Sequence, residues 1–108
     1  MKTDFPEKQP DSQSWWVYLI RTNHGHLYCG ITKNVELRLK AHSEGKGAKY
    51  LRGKTPLTLE WSRFIGSRSL ASHYEIRIKR LSKYKKEKLI TNPGLFEQYV
   101  PDLSDGTK

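Results

Sequence analysis

The chain has 108 residues, with 20 Lys and Arg against 11 Asp and Glu and a formal net charge of +9 at neutral pH. That length sets one domain around one modest core. No apolar run approaches the roughly 20 residues of a membrane span. The N-terminal Met1-Lys2-Thr3-Asp4-Phe5-Pro6 has no hydrophobic signal core, and the lone cysteine, Cys29, excludes an internal disulfide or a multi-cysteine zinc site. A cytoplasmic setting is the expectation.

Charge is distributed unevenly. Residues 1–14 hold Lys2 and Lys8 against Asp4, Glu7 and Asp11, and residues 98–108 hold Lys108 against Asp102 and Asp105. Residues 15–97 carry 17 basic and 6 acidic side chains. The part rich in fold-forming residues is therefore the cationic part, which points to a polyanionic partner, most simply nucleic acid. Nothing in the sequence calls for a membrane or a required protein partner.

In chain order, residues 1–14 have two prolines, five charges and little apolar content, and read as a mobile arm. Trp15-Trp16-Val17-Tyr18-Leu19-Ile20-Arg21 is aromatic and β-branched, so a strand. Asn23-His24-Gly25-His26 turns the chain, and Leu27-Tyr28-Cys29-Gly30-Ile31 returns as the second arm of a hairpin. Asn34 suits an N-cap, and the helix expected over 35–44 puts Val35, Arg38, Leu39 and His42 on one face. A face that starts apolar and then offers an arginine and a histidine is unlike an ordinary core stripe.

Residues 45–54 hold three glycines and the cations Lys46, Lys49, Arg52 and Lys54 around Tyr50. Such a loop suits wrapping a phosphate backbone and stacking on a base. A third strand is expected from Leu57 to Ile65, ended by Gly66. Ser67 can cap a long helix over 68–82, with Leu70, Tyr74, Ile78 and Leu81 on its buried face and Glu75 beside it. Lys83 to Ile90 predicts a shorter helix after Ser82. From Arg77 to Lys88 there are seven cations and one acid, among them Arg77, Arg80 and Lys83 as candidate phosphate contacts. Asn92-Pro93-Gly94 breaks the chain, Leu95 to Val100 predicts a last helical turn, and 98–108 reads as a tail beyond a domain over 15–97.

Tyr18, Tyr28, Arg38, His42 and Glu75 form a set suited to phosphodiester cleavage. A tyrosine can orient or deprotonate a water. Arginine meets a phosphate with a two-pronged donor. Glu75 is the only acid between Glu60 and Glu87 and can hold one Mg²⁺ or Mn²⁺ through oxygen. His42 suits proton transfer or a contact to phosphate.

In order and spacing these residues resemble the GIY-YIG nuclease domain over about 15–90. Tyr18 in Val-Tyr-Leu stands at the first motif's tyrosine. Tyr28-Cys29-Gly30 resembles the second motif, with Cys for the usual Ile. Arg38 stands at the family's helix arginine, His42 where members carry His or Tyr, and Glu75 at the metal-binding glutamate. Gly45-Lys46-Gly47-Ala48-Lys49 and Arg68-Ser69-Leu70-Ala71 resemble a subgroup of small single-domain bacterial members.

The resemblance implies an α+β fold, a small three-stranded antiparallel sheet flanked by helices. It also implies a one-metal endonuclease acting on nucleic acid, DNA ahead of RNA. The alternative is a nucleic-acid-binding module with weak or lost catalysis. Two departures stand out: Glu87 occupies the place of a frequent asparagine, and Ile31 replaces a cation after the second motif, with Lys33 nearby in the loop.

Overall fold

The structure, a computed structural model, describes residues 13–101. Most of the expected N-terminal arm and C-terminal tail lies outside the described residues. Three strands form one antiparallel sheet in the order β2-β1-β3: β1 (Trp15–Arg21), β2 (Leu27–Thr32) and β3 (Thr58–Gly66). The helices are α1 (Val35–Ser43), α2 (Arg68–Lys79), α3 (Lys83–Thr91) and the single turn α4 (Phe96–Tyr99). The expected α+β fold, a small three-stranded antiparallel sheet flanked by helices, is the one observed.

The central strand buries both its faces, which is why Val17-Tyr18-Leu19-Ile20 is a continuous non-polar run rather than an alternating one. Val17 and Leu19 point to one side and join Cys29, Trp61, Tyr74, Ile78, Leu89, Phe96 and Val100 in a single apolar cluster under α2, α3 and α4. Fully burying each aliphatic side chain there contributes about 1.5–3 kcal/mol. Tyr18 and Ile20 point to the other side. They are buried too, with Leu51 and His42, yet lie outside that cluster.

Local chemistry sets the boundaries. Asn34 caps α1 by accepting from the Leu37 amide, and Ser67 caps α2 by accepting from Leu70. The long helix expected over 68–82 stops at Lys79, because Ser82 turns its side chain forward to accept from the Lys85 amide and starts α3. Gly66 belongs to β3 instead of ending it. The expected last helical turn divides into a 3-10 turn over Pro93–Leu95 followed by α4. Packing also runs past residue 98, where the tail was expected to begin, since Val100 is fully buried in the apolar cluster.

β3 is irregular in a useful way. Its register against β1 skips a residue between the partners of Leu19 and Ile20, so that Glu60 is the extra residue. The Glu60 carboxylate takes the Arg21 Nε at 2.6 Å. Arg21 also grips Glu87 of α3 with two parallel bonds of 2.8 and 2.7 Å. Lys83 completes the lock by donating to the Gly25 carbonyl at 2.6 Å. This network ties α3 to the β1–β2 hairpin and to β3.

Candidate active site

The side of the sheet away from the apolar cluster carries Tyr18, Tyr28 and His42. Register pairs Tyr18 with Gly30 and Ile20 with Tyr28, which puts the two tyrosines on one face of the hairpin. α1 brings His42 against them. The Tyr18 hydroxyl lies 2.9 Å from His42 Nε2. Tyr28 meets the histidine ring edge-on at 5.7 Å and lies 6.5 Å from the Tyr18 ring. Tyr18 and His42 are 2% and 1% exposed, while Tyr28 is half-buried.

Two glycines make this arrangement possible. A side-chain carbon on Gly30 would fall 2.6 Å from Tyr18 Cζ and closer still to its hydroxyl oxygen. A side-chain carbon on Gly47 would fall 2.7 Å from His42 Cε1 and closer still to Nδ1. Gly30 of the Tyr-Cys-Gly motif is thus the space that the other tyrosine occupies, and Gly47 is the space for the histidine.

The 45–54 segment is more ordered than its glycines and charges suggest. Lys49–Leu51 form a 3-10 turn, and Leu51 is fully buried. The Ala48 amide donates to His42 Nδ1 at 3.1 Å. Tyr50, expected to offer its ring to a base, instead stacks on Tyr28 at 6.0 Å with a 15° interplanar angle. Lys54 sits 3.9 Å over the same ring. Tyr50, Gly30 and Gly47 pack directly against the candidate residues, in roles the sequence did not assign them. The repeated glycines around Lys46 were a visible signal, but only the folded neighbours show what they accommodate.

Burial pushes the Tyr18 hydroxyl up to about 12, against the pull of a hydrogen bond from Arg38 in the opposite direction. Burial likewise holds His42 below the usual histidine value, and the positive charge of Arg38 adds to that. Arg38 therefore acts on both groups while itself remaining exposed. It lines an open groove of about 510 Å³ with Trp15, Thr32, Lys33, Leu37 and Arg68. Arg68 and Lys33 stand over the Trp15 ring at 5.3 and 6.0 Å, so cations flank that wall of the groove.

Glu75 lies elsewhere. It pairs with Lys79 at 3.2 Å, with 22% of its own side chain exposed. Its charge reaches Cys29, where it adds to the burial that pushes the thiol up to about 12. Cys29 points to the opposite face of β2 from Tyr28 and Gly30. The structure thus gathers Tyr18, Tyr28 and His42 under the influence of Arg38, with Glu75 near the same strand from its other side.

The candidate phosphate contacts also divide. Lys46, Lys49, Arg52, Arg77 and Arg80 are exposed. Lys54 is held at Tyr50, and Lys83 is spent on Gly25 and on Glu87, 3.4 Å away.

The family model described as the GIY-YIG catalytic domain matches residues 14–88, which span both tyrosines, Arg38, His42 and Glu75. The chain belongs to the GIY-YIG family. It is 52% identical over 93 residues to a UPF0213 protein of Citrobacter koseri, covering 86% of this chain and 93% of that one. It is 48% identical over 89 residues to the UPF0213 protein YhbQ of Escherichia coli, covering 82% and 89%. A UPF0213 protein of Bacillus halodurans, solved in solution by NMR, is 36% identical, covers 85% of this chain and 98% of its own, and superposes with a TM-score of 0.49. This GIY-YIG chain is therefore similar in sequence to small proteins of nearly its own extent. Among the described residues, no helix is long and apolar enough to cross a membrane.

Proposed function

We propose that this GIY-YIG protein is a metal-dependent endonuclease that hydrolyses phosphodiester bonds in nucleic acid, with DNA ahead of RNA as substrate. The observation that carries the reading is the meeting of Tyr18, Tyr28 and His42 on one face of the sheet, with Arg38 acting on Tyr18 and His42 from the wall of a cationic groove. Arg38 is the group free to face a phosphate, and its fork of donors suits the charge that builds on the phosphorus oxygens. Tyr28 is the more accessible phenol and orients the attacking water. Tyr18, a neutral phenol until about pH 12, serves at neutral pH as a hydrogen-bonding group and not as a resident base.

The fit to a metal is narrow. Among the described residues no group of three or more His, Cys, Asp or Glu could hold an ion. Glu75 is one hard oxygen donor, partly exposed, and suits a single Mg²⁺ or Mn²⁺ whose remaining positions are water and substrate phosphate. When bound, such an ion supplies charge neutralisation at the leaving oxygen. β2, which carries Tyr28, is an edge of the sheet and open to a strand of nucleic acid on that side. The exposed Lys46, Lys49, Arg52, Arg77 and Arg80 would hold its backbone, which makes binding fall steeply with salt.

One observation favours the second reading, a nucleic-acid-binding module with weak or lost catalysis. Glu87, at the place of the frequent asparagine, is committed to Arg21 by two bonds and has no carboxylate to spare. Incubation of plasmid and of branched DNA with Mg²⁺ or Mn²⁺ separates the two. The nuclease reading expects metal-dependent nicking that disappears in Glu75→Ala. Undiminished nicking by Glu75→Ala contradicts the assignment, and tight, salt-sensitive binding without cleavage in any metal supports the second reading.

A further inference from the structure

The Tyr18–His42 pair looks like a relay in which the histidine takes the tyrosine's proton. Its surroundings say otherwise. A backbone amide can only donate, so the Ala48 N–H at 3.1 Å requires a lone pair on His42 Nδ1. A neutral imidazole with a bare Nδ1 carries its proton on Nε2. Nε2 is the atom 2.9 Å from the Tyr18 hydroxyl oxygen. That oxygen therefore accepts from His42.

We propose that the Gly47–Ala48 turn fixes His42 as the Nε2–H tautomer, so that His42 is a donor that positions the Tyr18 oxygen and is closed to the tyrosine's proton. The turn is built for this. Gly47 has no side chain where one would strike the imidazole. The turn is pinned to the end of α1 by the Gly45 amide on the His42 carbonyl at 3.1 Å and the Lys46 amide on the Ala41 carbonyl at 2.9 Å. Burial of both rings excludes water that could replace either partner. The charge of Arg38 and the burial that keep the imidazole neutral act in the same direction. His42 is thus a positioning residue, and not the acceptor of the Tyr18 proton.

The catalytic consequence rests on the nuclease reading, whereas the tautomer does not. The test uses the full chain labelled with [¹⁵N]histidine and reads the ring nitrogens by NMR from about pH 6 to 8, where an ordinary histidine titrates. The expected result is one buried histidine with Nδ1 bare and Nε2 protonated throughout, its signals assigned by their loss in His42→Gln. A proton on Nδ1, or a doubly protonated ring at neutral pH, overturns the proposal.

The second readout is nicking. Glutamine keeps an N–H donor but has no base, so His42→Gln is expected within about tenfold of wild type. His42→Phe, which has neither, should lose about 10²-fold or more. Equal loss in two variants that melt like wild type would show that proton transfer, not donation, is what His42 supplies. A wild type without nuclease activity would contradict the nuclease reading and leave the ring nitrogens to decide the tautomer.

Discussion

The two faces of β1 are built on opposite principles. Val17 and Leu19 enter an apolar cluster whose members are interchangeable in kind, aliphatic or aromatic surface removed from water. One residue away, Tyr18 enters a polar cluster where each neighbour has a distinct duty: Gly30 gives room, His42 donates and Arg38 supplies charge. The first face holds the sheet to α2, α3 and α4. The second carries buried polar groups that cost stability unless each finds a partner. The two faces should therefore tolerate substitution differently. Changes of shape on the first face should cost stability alone, and small changes on the second should cost chemistry out of proportion to stability.

Three substitutions or conditions sharpen that contrast. Leu19→Ala removes a fully buried side chain from the cluster and should cost about 2–5 kcal/mol in chemical denaturation, with turnover per folded molecule close to wild type. A loss of turnover in the folded fraction would blur the division between faces. Gly30→Ala drives a methyl into the Tyr18 ring and should cost about 1–3 kcal/mol. Its nicking rate should fall further than that of Leu19→Ala despite the smaller stability loss, and the reverse ranking would contradict the role given to Gly30.

The smallest effect belongs to the ionic lock on the hairpin side. Arg21 holds Glu87 down to about 2 from the ordinary 4.5. Its stabilisation is therefore complete above pH 4.5 and lost as pH falls towards 2, worth at most about 1 kcal/mol for a pair this exposed. His42, held below 6.5, adds a loss that begins as pH falls through 6.5, since the unfolded chain takes that proton first. Melting temperature against pH should show both limbs, and Glu87→Gln should flatten only the lower one. An unchanged lower limb would remove the Arg21–Glu87 pair from the stability account.

Much of the site was legible because its signals are local. Tyr18 and Tyr28 sit ten residues apart on a hairpin whose turn is marked by Gly25, and because this hairpin pairs residues an even number apart both return to one face. Arg38 and His42 are four apart on one helix and must share a side. What stayed hidden depends on contacts between distant segments. Lys83 read as a phosphate contact until the fold brought it to Gly25, and Glu87 read only as a missing asparagine until it met Arg21, 66 residues away. Tyr50 read as a free ring because nothing in the loop sequence announces Tyr28 as its neighbour. The helix break at Arg80 was missed because an apolar stripe through Leu81 outweighed the capping serine after it.

Central to the account is that the polar face, reached through Arg38, is where phosphodiester bonds break. Arg38 is exposed and outside the apolar cluster but acts on the buried Tyr18 and His42, so Arg38→Ala should fold and melt only a few degrees below wild type. Metal-dependent nicking of plasmid DNA by this variant, measured beside wild type at equal folded concentration, is the direct test. A fall of about 10²–10³-fold is expected for the loss of a group that meets charge in the transition state. Nicking at the wild-type rate by a fully folded Arg38→Ala would contradict the account.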